Sequence, residues 1–451
     1  MKVNVAGAGA GKTSMMADRI KEIIIPEGKV VFCIAFTNAA VENIENKAAA
    51  KLGRIPDSVK ICTIHSFLYR ELINPYYYFL FGKQFERLTN IDLPVDYGYR
   101  RVKLSDLEGN NILHYTKIPE KAKWVAYKKS GDKKETKALR ERILQRFAEY
   151  CKAILVDEAQ DIGQDVKHIL EALDASGVEI ILYGDPKQDV KGLGCFRAIV
   201  DKAGNEVNYI PVCHRCPQKH LDLSNTLAQD SEKQIADDNN AQGSIEVVYE
   251  SDIESIQSFI DSGNYGLQYI SMKRDRFATH EKQHEGERFT TLLYEVCRAI
   301  QEKWKVNKPD IEIYRAAFFV TEQMIKAFDN GSSAASIIST WVKKGAFDSL
   351  SKQRYAQMVA SFQKVECIDI KVPVLRSIEI IKGLEAERCL FVLTTDLAPY
   401  LFLDRKDDNK TKHLLYVALT RSLEHLTIMV TREVEEMYTR ARIDSFFQEF
   451  L

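Results

Sequence analysis

Ala6-Gly7-Ala8-Gly9-Ala10-Gly11-Lys12-Thr13 begins after only five residues of chain, and its reading decides the fold. The glycines leave room for backbone N–H groups to surround phosphate oxygens. Lys12 reaches the β and γ oxygens, and the Thr13 hydroxyl is placed to ligate Mg²⁺. Ala8, Gly9, Ala10, Gly11, Lys12, Thr13 and Ser14 are therefore the expected cradle of a nucleoside triphosphate. A helix over 13–25 is expected to follow, its N-terminal dipole favouring the same anion. Ala6 stands where such loops usually open with glycine. A Gly/Ala-rich turn with no nucleotide is the plainer reading, and the Lys-Thr spacing argues against it.

Outward from this loop, short apolar runs alternate with helical periodicity. Strands are expected at 29–36, 59–63, 153–156 and 179–183, with helices over 38–51 and 164–176. The alternation implies a parallel sheet with helices on both faces and a ligand at the carboxyl ends of the strands. A second α/β unit is expected from about 243, with strands at 244–249, 267–272, 388–394 and 426–431. Helices are expected over 252–262 and 411–422, and a mostly helical stretch over about 277–363 interrupts this unit. The polar run 229–243 is the expected linker. Between 68 and 150 the pattern breaks into an aromatic cluster (Tyr76, Tyr77, Tyr78, Phe79, Phe81) and a basic stretch. Eleven Lys/Arg against four acids fall within 117–146. A solvated basic helix and a polyanion surface both fit it, with Lys128, Lys129, Lys133 and Lys134 the densest group.

Composition narrows the class. The chain has 451 residues, 45% hydrophobic and 28% charged, with a formal net charge of -1. Two or three domains are expected, and any nucleic-acid surface must be local rather than global. Nine cysteines scattered without a framework point to a reducing compartment. There is no apolar run long enough to span a bilayer. Residues 3–10 are faintly leader-like, but cleavage would destroy the phosphate loop, so a cytoplasmic protein is expected.

The chemistry gathers in four further segments. Val156-Asp157-Glu158-Ala159-Gln160-Asp161 ends a buried strand: Asp157 suits a Mg²⁺ site through its water shell, and Glu158 suits the general base for the attacking water. Gly184-Asp185-Pro186-Lys187-Gln188 ends the next strand, where Gln188 is placed to sense a γ-phosphate. Arg215 and Arg421 would supply fixed cations for charge developing on the transferred phosphoryl group. Cys213 and Cys216, flanking His214-Arg215, give half of a zinc spacing with no second pair.

Taken together, AGAGAGKT (6–13), FTNAAVENI (36–44), TIHSF (63–67), VDEAQD (156–161), GDPKQ (184–188), the Arg215 segment, KGLEAERCLFV (382–392) and LLYVALTRSLEHL (414–426) occur in the order found in superfamily-one helicases of the UvrD/Rep/PcrA type. The chain resembles that family over nearly its whole length. The resemblance implies an α/β P-loop NTPase fold with two RecA-like parallel-sheet motor domains and helical insertions. It places the amino-terminal domain at 1–70 and 150–228 and an inserted basic subdomain at 71–149. The carboxy-terminal domain falls at 243–274 and 370–451, and a reduced accessory insertion at 275–369. It implies ATP and Mg²⁺ in the cleft, with Lys12, Thr13 and Asp157 holding them. Glu158 becomes the base, Gln188 the sensor, Arg215 and Arg421 the arginine fingers, and Glu385 the ribose contact. It implies 3′-to-5′ movement on single-stranded DNA contacted by Phe36, Thr37, Asn38 and His65. Taken alone, Phe36 reads equally as a core aromatic and His65 as an interior histidine.

The pattern departs from the family at defined points. The adenine-reading glutamine segment that precedes the loop in the family has no counterpart ahead of Ala6, and His214 replaces the tyrosine that stacks on adenine. Past Gln188 only Phe196 is available for base stacking. Glu379 replaces the histidine before the Lys-Gly-Leu-Glu segment. The short span between Arg215 and Lys382 leaves a reduced accessory insertion, so translocation is the firmer expectation than unwinding. The alternative is a nucleotide- and DNA-sensing regulatory subunit that activates a partner nuclease in antiphage defence. In size and trimmed domains alone, the chain resembles the helicase-like subunit of Gabija-type systems. A small-molecule P-loop kinase would leave 416–421 unexplained.

Overall fold

The computed structural model describes residues 1–94, 96–272, 276–279, 285–306, 311–362 and 372–450, and of 285–287 the backbone alone. Sequence-based expectations that fall on 95, 273–275, 280–284, 307–310, 363–371 and 451 lie outside those residues. The chain forms two compact units. One comprises Met1–Phe81, Pro119–His280 and Ile370–Leu451, the other Gly82–Ile118 and Glu281–Asp369.

The first unit holds two six-stranded sheets. From edge to edge the amino-terminal sheet runs Val59–Thr63, Val30–Ala35, Cys151–Val156, Glu179–Gly184, Lys2–Ala6, Val207–Ile210. Every pairing in it is parallel. Val30–Ala35 is buried from end to end, because both faces are covered. Val31, Cys33 and Ala35 meet Met16, Ile20, Ile44 and Ala48 of two flanking helices. On the opposite face Phe32 packs on Phe67 and Phe147, with centroids 5.0 and 6.4 Å away. The carboxy-terminal sheet runs Ser244–Tyr249, Ser422–Val430, Ala386–Leu393, Leu267–Ile270, Val374–Ser377, Ala278–Thr279, again all parallel. Cys389, Phe391 and Leu393 join one core with Tyr269 and Tyr416. Leu390 and Val392 point to the other core, with Ile270 and Met429.

Local chemistry explains the element ends. The helix Lys12–Glu22 stops where Ile23 turns extended, short of the expected residue 25, because Pro26 restricts the residues before it. Helix Asn38–Leu52 starts with the Thr37 hydroxyl accepting from Ala40 N–H and ends at Gly53 with φ 73°, a left-handed position that favours glycine. Strands Val59–Thr63 and Ser244–Tyr249 coincide with their expected spans.

The second unit is mostly helical, built on Tyr97–Gly109, Glu285–Trp304, Ile311–Asp329, Ala334–Lys343 and Lys352–Ala360. Leu292, Val296, Ile300, Ala317, Met324 and Met358 form its core. A buried charge network stitches its two chain segments together. Lys103 and Arg354 both pair with Glu295, the latter at 3.1 Å, and Arg298 pairs with Asp106 at 3.1 Å.

Here the structure differs from the sequence reading, which takes 71–149 as one insertion. Gly82–Ile118 joins the helical unit through Lys103 and Asp106, whereas Lys134–Tyr150 packs on the amino-terminal sheet through Phe147. The polar run 229–243 is likewise more than a linker. Ile235–Ala236 pairs with Val212–Cys213, and Glu232 and Gln234 are buried. Charge on Glu232 is satisfied by Arg197 and Lys187, which is why so polar a segment packs inward. No helix among the described residues is long and apolar enough to cross a membrane.

Candidate nucleotide site

The loop 6–13 turns tightly off the strand Lys2–Ala6. Gly9 and Gly11 have φ 68° and 76°, and Gly11 caps the following helix in the left-handed region. Gly9 is constrained twice, since a Cβ there would overlap Arg215 Cβ and lie 2.9 Å from Cys213 Sγ. Gly9→Ala is therefore expected to destabilise the chain by about 1–3 kcal/mol. A lower thermal unfolding temperature together with weaker nucleotide binding checks this, and an unchanged melting curve would refute it.

Lys12 is buried, its ammonium donating to Ala6 O and Gly7 O at 3.2 and 3.3 Å. Thr13 Oγ1 donates to Asp157 Oδ2 at 2.8 Å. These two hard oxygens, side by side at the mouth of the loop, fit a Mg²⁺ site whose remaining ligands are phosphate and water. Burial and then the charge of Glu158 push the Asp157 carboxyl up to about 6, against the pull of Lys12. For Glu158 burial acts in the same sense, but Lys12, Lys382 and Gln160 together outweigh it and hold the carboxyl below its usual range. Glu158 thus stands ionised, in a left-handed backbone conformation with φ 52°. Such a conformation costs of order 1–3 kcal/mol in a non-glycine residue, and it is pinned by Glu158 N–H donating to Asp157 Oδ1 at 2.9 Å.

A chain of hydrogen bonds carries this acid cluster to Gln188. The Gln160 amide donates to the Glu158 carboxylate, and Gln160 Oε1 accepts from Asp185 N–H at 3.0 Å. Gln188 Nε2 in turn donates to Asp185 Oδ2 at 3.0 Å. The Asp185 carboxyl is lowered because Lys187, Lys12 and Gln188 outweigh its burial.

The carboxy-terminal half also reaches this cluster, Tyr416 and Lys382 from within the quoted motifs and His413 from outside them. Tyr416 OH donates to Gln234 Oε1 at 2.7 Å and accepts from Ala8 N–H at 3.4 Å. Gln234 Nε2 donates to Ala8 O at 3.0 Å. Lys382 Nζ donates to Asp161 at 2.9 Å and lies 4.0 Å from Glu158. His413 bridges Asp189 O and Asp408, at 3.0 and 2.9 Å. That hydrogen bond, with Arg197 adding its charge, draws the Asp408 carboxyl down to about 2 despite burial.

The two arginines differ. Arg215 follows His214, whose N–H donates to Gly9 O at 3.0 Å, and its guanidinium pairs with Glu385. The structure therefore ties Glu385 to Arg215. Arg421 is buried, donating to Val417 O at 2.9 Å, Leu384 O at 3.3 Å and Thr420 Oγ1 at 3.1 Å. No carboxylate pairs with it among the described residues, and burial followed by the nearby Arg215 lowers its basicity. His214 is exposed and holds Asp237 at 2.8 Å, its ring 3.9 Å from where a Gly11 Cβ would stand. Its ring therefore stands beside the loop. Ser14 enters through its carbonyl, which accepts from Lys51 at 3.0 Å.

The residues expected on a nucleic-acid strand sit at strand ends. Phe36 is half-buried, with Lys191 over its ring at 5.8 Å. Thr37 and Asn38 are exposed at the start of a helix, Thr37 serving as its cap. Burial, and then Lys191, lower the His65 pKa. In the basic stretch, Lys128, Lys133 and Lys134 are exposed around the loop between two helices. Lys129 lies over Trp124 and Phe81, at 4.4 and 4.9 Å. Other cations of the stretch serve the fold: Lys123 pairs with Asp165 at 2.5 Å and buried Arg140 with Asp132 at 2.8 Å. Tyr78 and Phe79 are exposed. Among the described residues no group of three or more His, Cys, Asp or Glu side chains gathers to hold a metal.

Residues 1–192 match a family model described as an AAA domain. No match to a curated protein was found. Among solved structures, the chain is similar to Arterivirus nonstructural protein 10, a helicase in complex with DNA. Identity is 12% and the TM-score 0.37, over 95% of this chain and 60% of that one. It is also similar to the PRRSV helicase, at 11% identity and a TM-score of 0.34, over 95% of this chain and 52% of that one. The chain spans little more than half the length of these two proteins.

Proposed function

We propose that the chain is a nucleic-acid-stimulated ATPase of the helicase type that moves along single-stranded DNA, 3′ to 5′, as a UvrD-like motor. Residues 1–70 with 150–228 form one motor domain, and 243–274 with 370–451 the other. The observation that carries this reading is Arg421: a buried guanidinium that no carboxylate pairs with among the described residues, close enough to Arg215 to feel its charge. A buried cation is stable only when something compensates it, and a γ-phosphate beside Lys12 supplies that charge.

Glu158 accepts the proton of the attacking water, and Gln160, Asp185 and Gln188 relay the occupancy of the phosphate site. Lys12, Arg215 and Arg421 neutralise charge as it develops. Mg²⁺ between Thr13 and Asp157 would further neutralise the phosphate oxygens. Tyr416 and Gln234 grip Ala8, so the carboxy-terminal half senses the loop directly. Phe36, Thr37, Asn38 and His65 face the strand. Lys128, Lys129, Lys133 and Lys134 attract its phosphates, with Tyr78 and Phe79 as sequence-blind stacking faces.

The test is ATPase rate with and without single-stranded DNA, alongside strand binding as salt is raised. Turnover is expected to rise on adding the strand. Replacing the four lysines with alanine is expected to reduce the slope of log affinity against log salt by up to about 3. An unchanged slope removes the basic loop from the interface. Nucleotide binding without strand-dependent turnover would favour a sensing subunit that activates a partner nuclease.

A further inference from the structure

The Cys213-His214-Arg215-Cys216 segment sits between the two groups that must move for hydrolysis, and its thiols touch both. Cys213 Sγ lies 3.1 Å from Ala8 O in the phosphate loop. Cys216 Sγ lies 3.5 Å from Thr420 O, one residue before Arg421. The segment enters from the strand Val212–Cys213 and leaves into the helix Gln218–Asn225, a tight turn that brings the Cys216 main chain against the Cys213 sulfur. Cys216 N–H donates to Cys213 Sγ at 3.3 Å.

We propose that Cys213 and Cys216 form a reversible disulfide when the chain meets a hydroperoxide, and that this bond frees the phosphate loop and the Thr420–Arg421 turn from the thiols that hold them. The consequence for ATP rests on the functional reading above, while the disulfide itself does not.

The chemistry balances. The Cys213 thiolate attacks the peroxide, an S–O bond forms as the O–O bond breaks, and the distal oxygen leaves as water after taking a proton. Cys216 then attacks the oxidised sulfur, the S–S bond forms, the S–O bond breaks and a second water departs. Two thiols and one peroxide give one disulfide and two waters. In the thiol form Cys213 donates to Ala8 O and Cys216 to Thr420 O, and the disulfide has no proton to give either carbonyl. Ala8 O then keeps only the Gln234 amide, and Thr420 O loses its thiol donor.

The same segment sets the order of attack. The neighbouring Cys216 side chain, opposed by burial and aided by the N–H groups of Cys216 and Arg215, draws the Cys213 thiol down, so that its thiolate form is the more accessible of the two. Cys216 is pushed the other way, first by Cys213 beside it and then by burial. Burial instead raises the thiols of Cys151 and Cys389 to about 12 and, first among its causes, that of Cys62 to about 11. Those sites are poor nucleophiles at neutral pH. Both sulfurs of the pair are buried, which favours a small peroxide over a bulky protein oxidant.

The test treats the full chain with hydrogen peroxide, blocks the remaining thiols and maps the peptides. The expected product is a 213–216 disulfide that dithiothreitol reverses. Amide hydrogen exchange across 6–13 is expected to quicken at least tenfold in the oxidised chain, with affinity for a fluorescent ATP analogue falling by a similar factor. Both are expected to recover on reduction. A C213S/C216S chain is expected to show neither response. Should that variant not fold, mapping and dithiothreitol reversal in the unaltered chain decide the matter. A pair that stays fully alkylatable, or a mapped disulfide with unchanged exchange over 6–13, overturns the proposal. Failure of the reduced chain to bind the ATP analogue would instead overturn the functional reading, with mapping and exchange still judging the disulfide.

Discussion

Replacing Arg421 with alanine is expected to lower kcat for ATP hydrolysis by roughly 10³-fold or more, the scale of a catalytic arginine in phosphoryl transfer. The reason lies in its surroundings. The guanidinium is buried, its partners are carbonyls and a hydroxyl, and no carboxylate neutralises it among the described residues. Its charge is therefore fixed but uncommitted. Arg421→Lys separates the two contributions: it keeps the charge while losing the planar fork that satisfies Val417 O and Leu384 O. If Arg421 serves only to hold the turn, both variants will unfold at lower temperature and retain kcat once corrected for folded protein. If it serves the reaction, the lysine chain will fold and hydrolyse ATP slowly. Steady-state kinetics with a thermal melt on each variant decide between these, and full activity in a folded alanine variant would remove Arg421 from the chemistry.

A second large effect is expected at Glu158. Glu158→Gln removes the base while preserving the shape of the side chain, and kcat is expected to fall by roughly 10²–10⁴. Nucleotide affinity should change little, because Lys12 and the loop amides remain in place. Folding should change little as well, since glutamine accommodates the same left-handed backbone. The neighbouring glutamine adds an internal check. Gln160 donates to the Glu158 carboxylate and accepts from Asp185 N–H, so Gln160→Ala is expected to lower kcat less than Glu158→Gln. Equal losses would mean that Glu158 acts through the relay rather than on water.

Much of this was readable from sequence because local rules governed it. The loop 6–13, the strands at 59–63 and 244–249 and the acids at 157 and 158 each depend on neighbours within a few residues. What escaped depends on distant partners. Gln234 lies in a polar run with no pattern, and it becomes part of the phosphate loop only because a Gly7 side chain is absent where its amide packs. Glu232 gives no sign of burial until Arg197 and Lys187 are brought to it by the fold. Tyr416 was quoted inside a motif, yet its grip on Ala8 follows from how two sheets meet. The division of 71–149 between two units was equally hidden, since Lys103 finds Glu295 across a span of 192 residues.

One feature of the carboxy-terminal sheet bears on how such chains diversify. The chain leaves this sheet after the strand Ala278–Thr279 and comes back through Val374–Ser377, and these two strands are hydrogen-bonded neighbours at its edge. Exit and return therefore share one seam, and the remaining strands are indifferent to whatever is threaded between them. The seam works as a socket. A longer or shorter stretch can be threaded there, as a tool is changed on a fixed handle, without altering the order of the six strands.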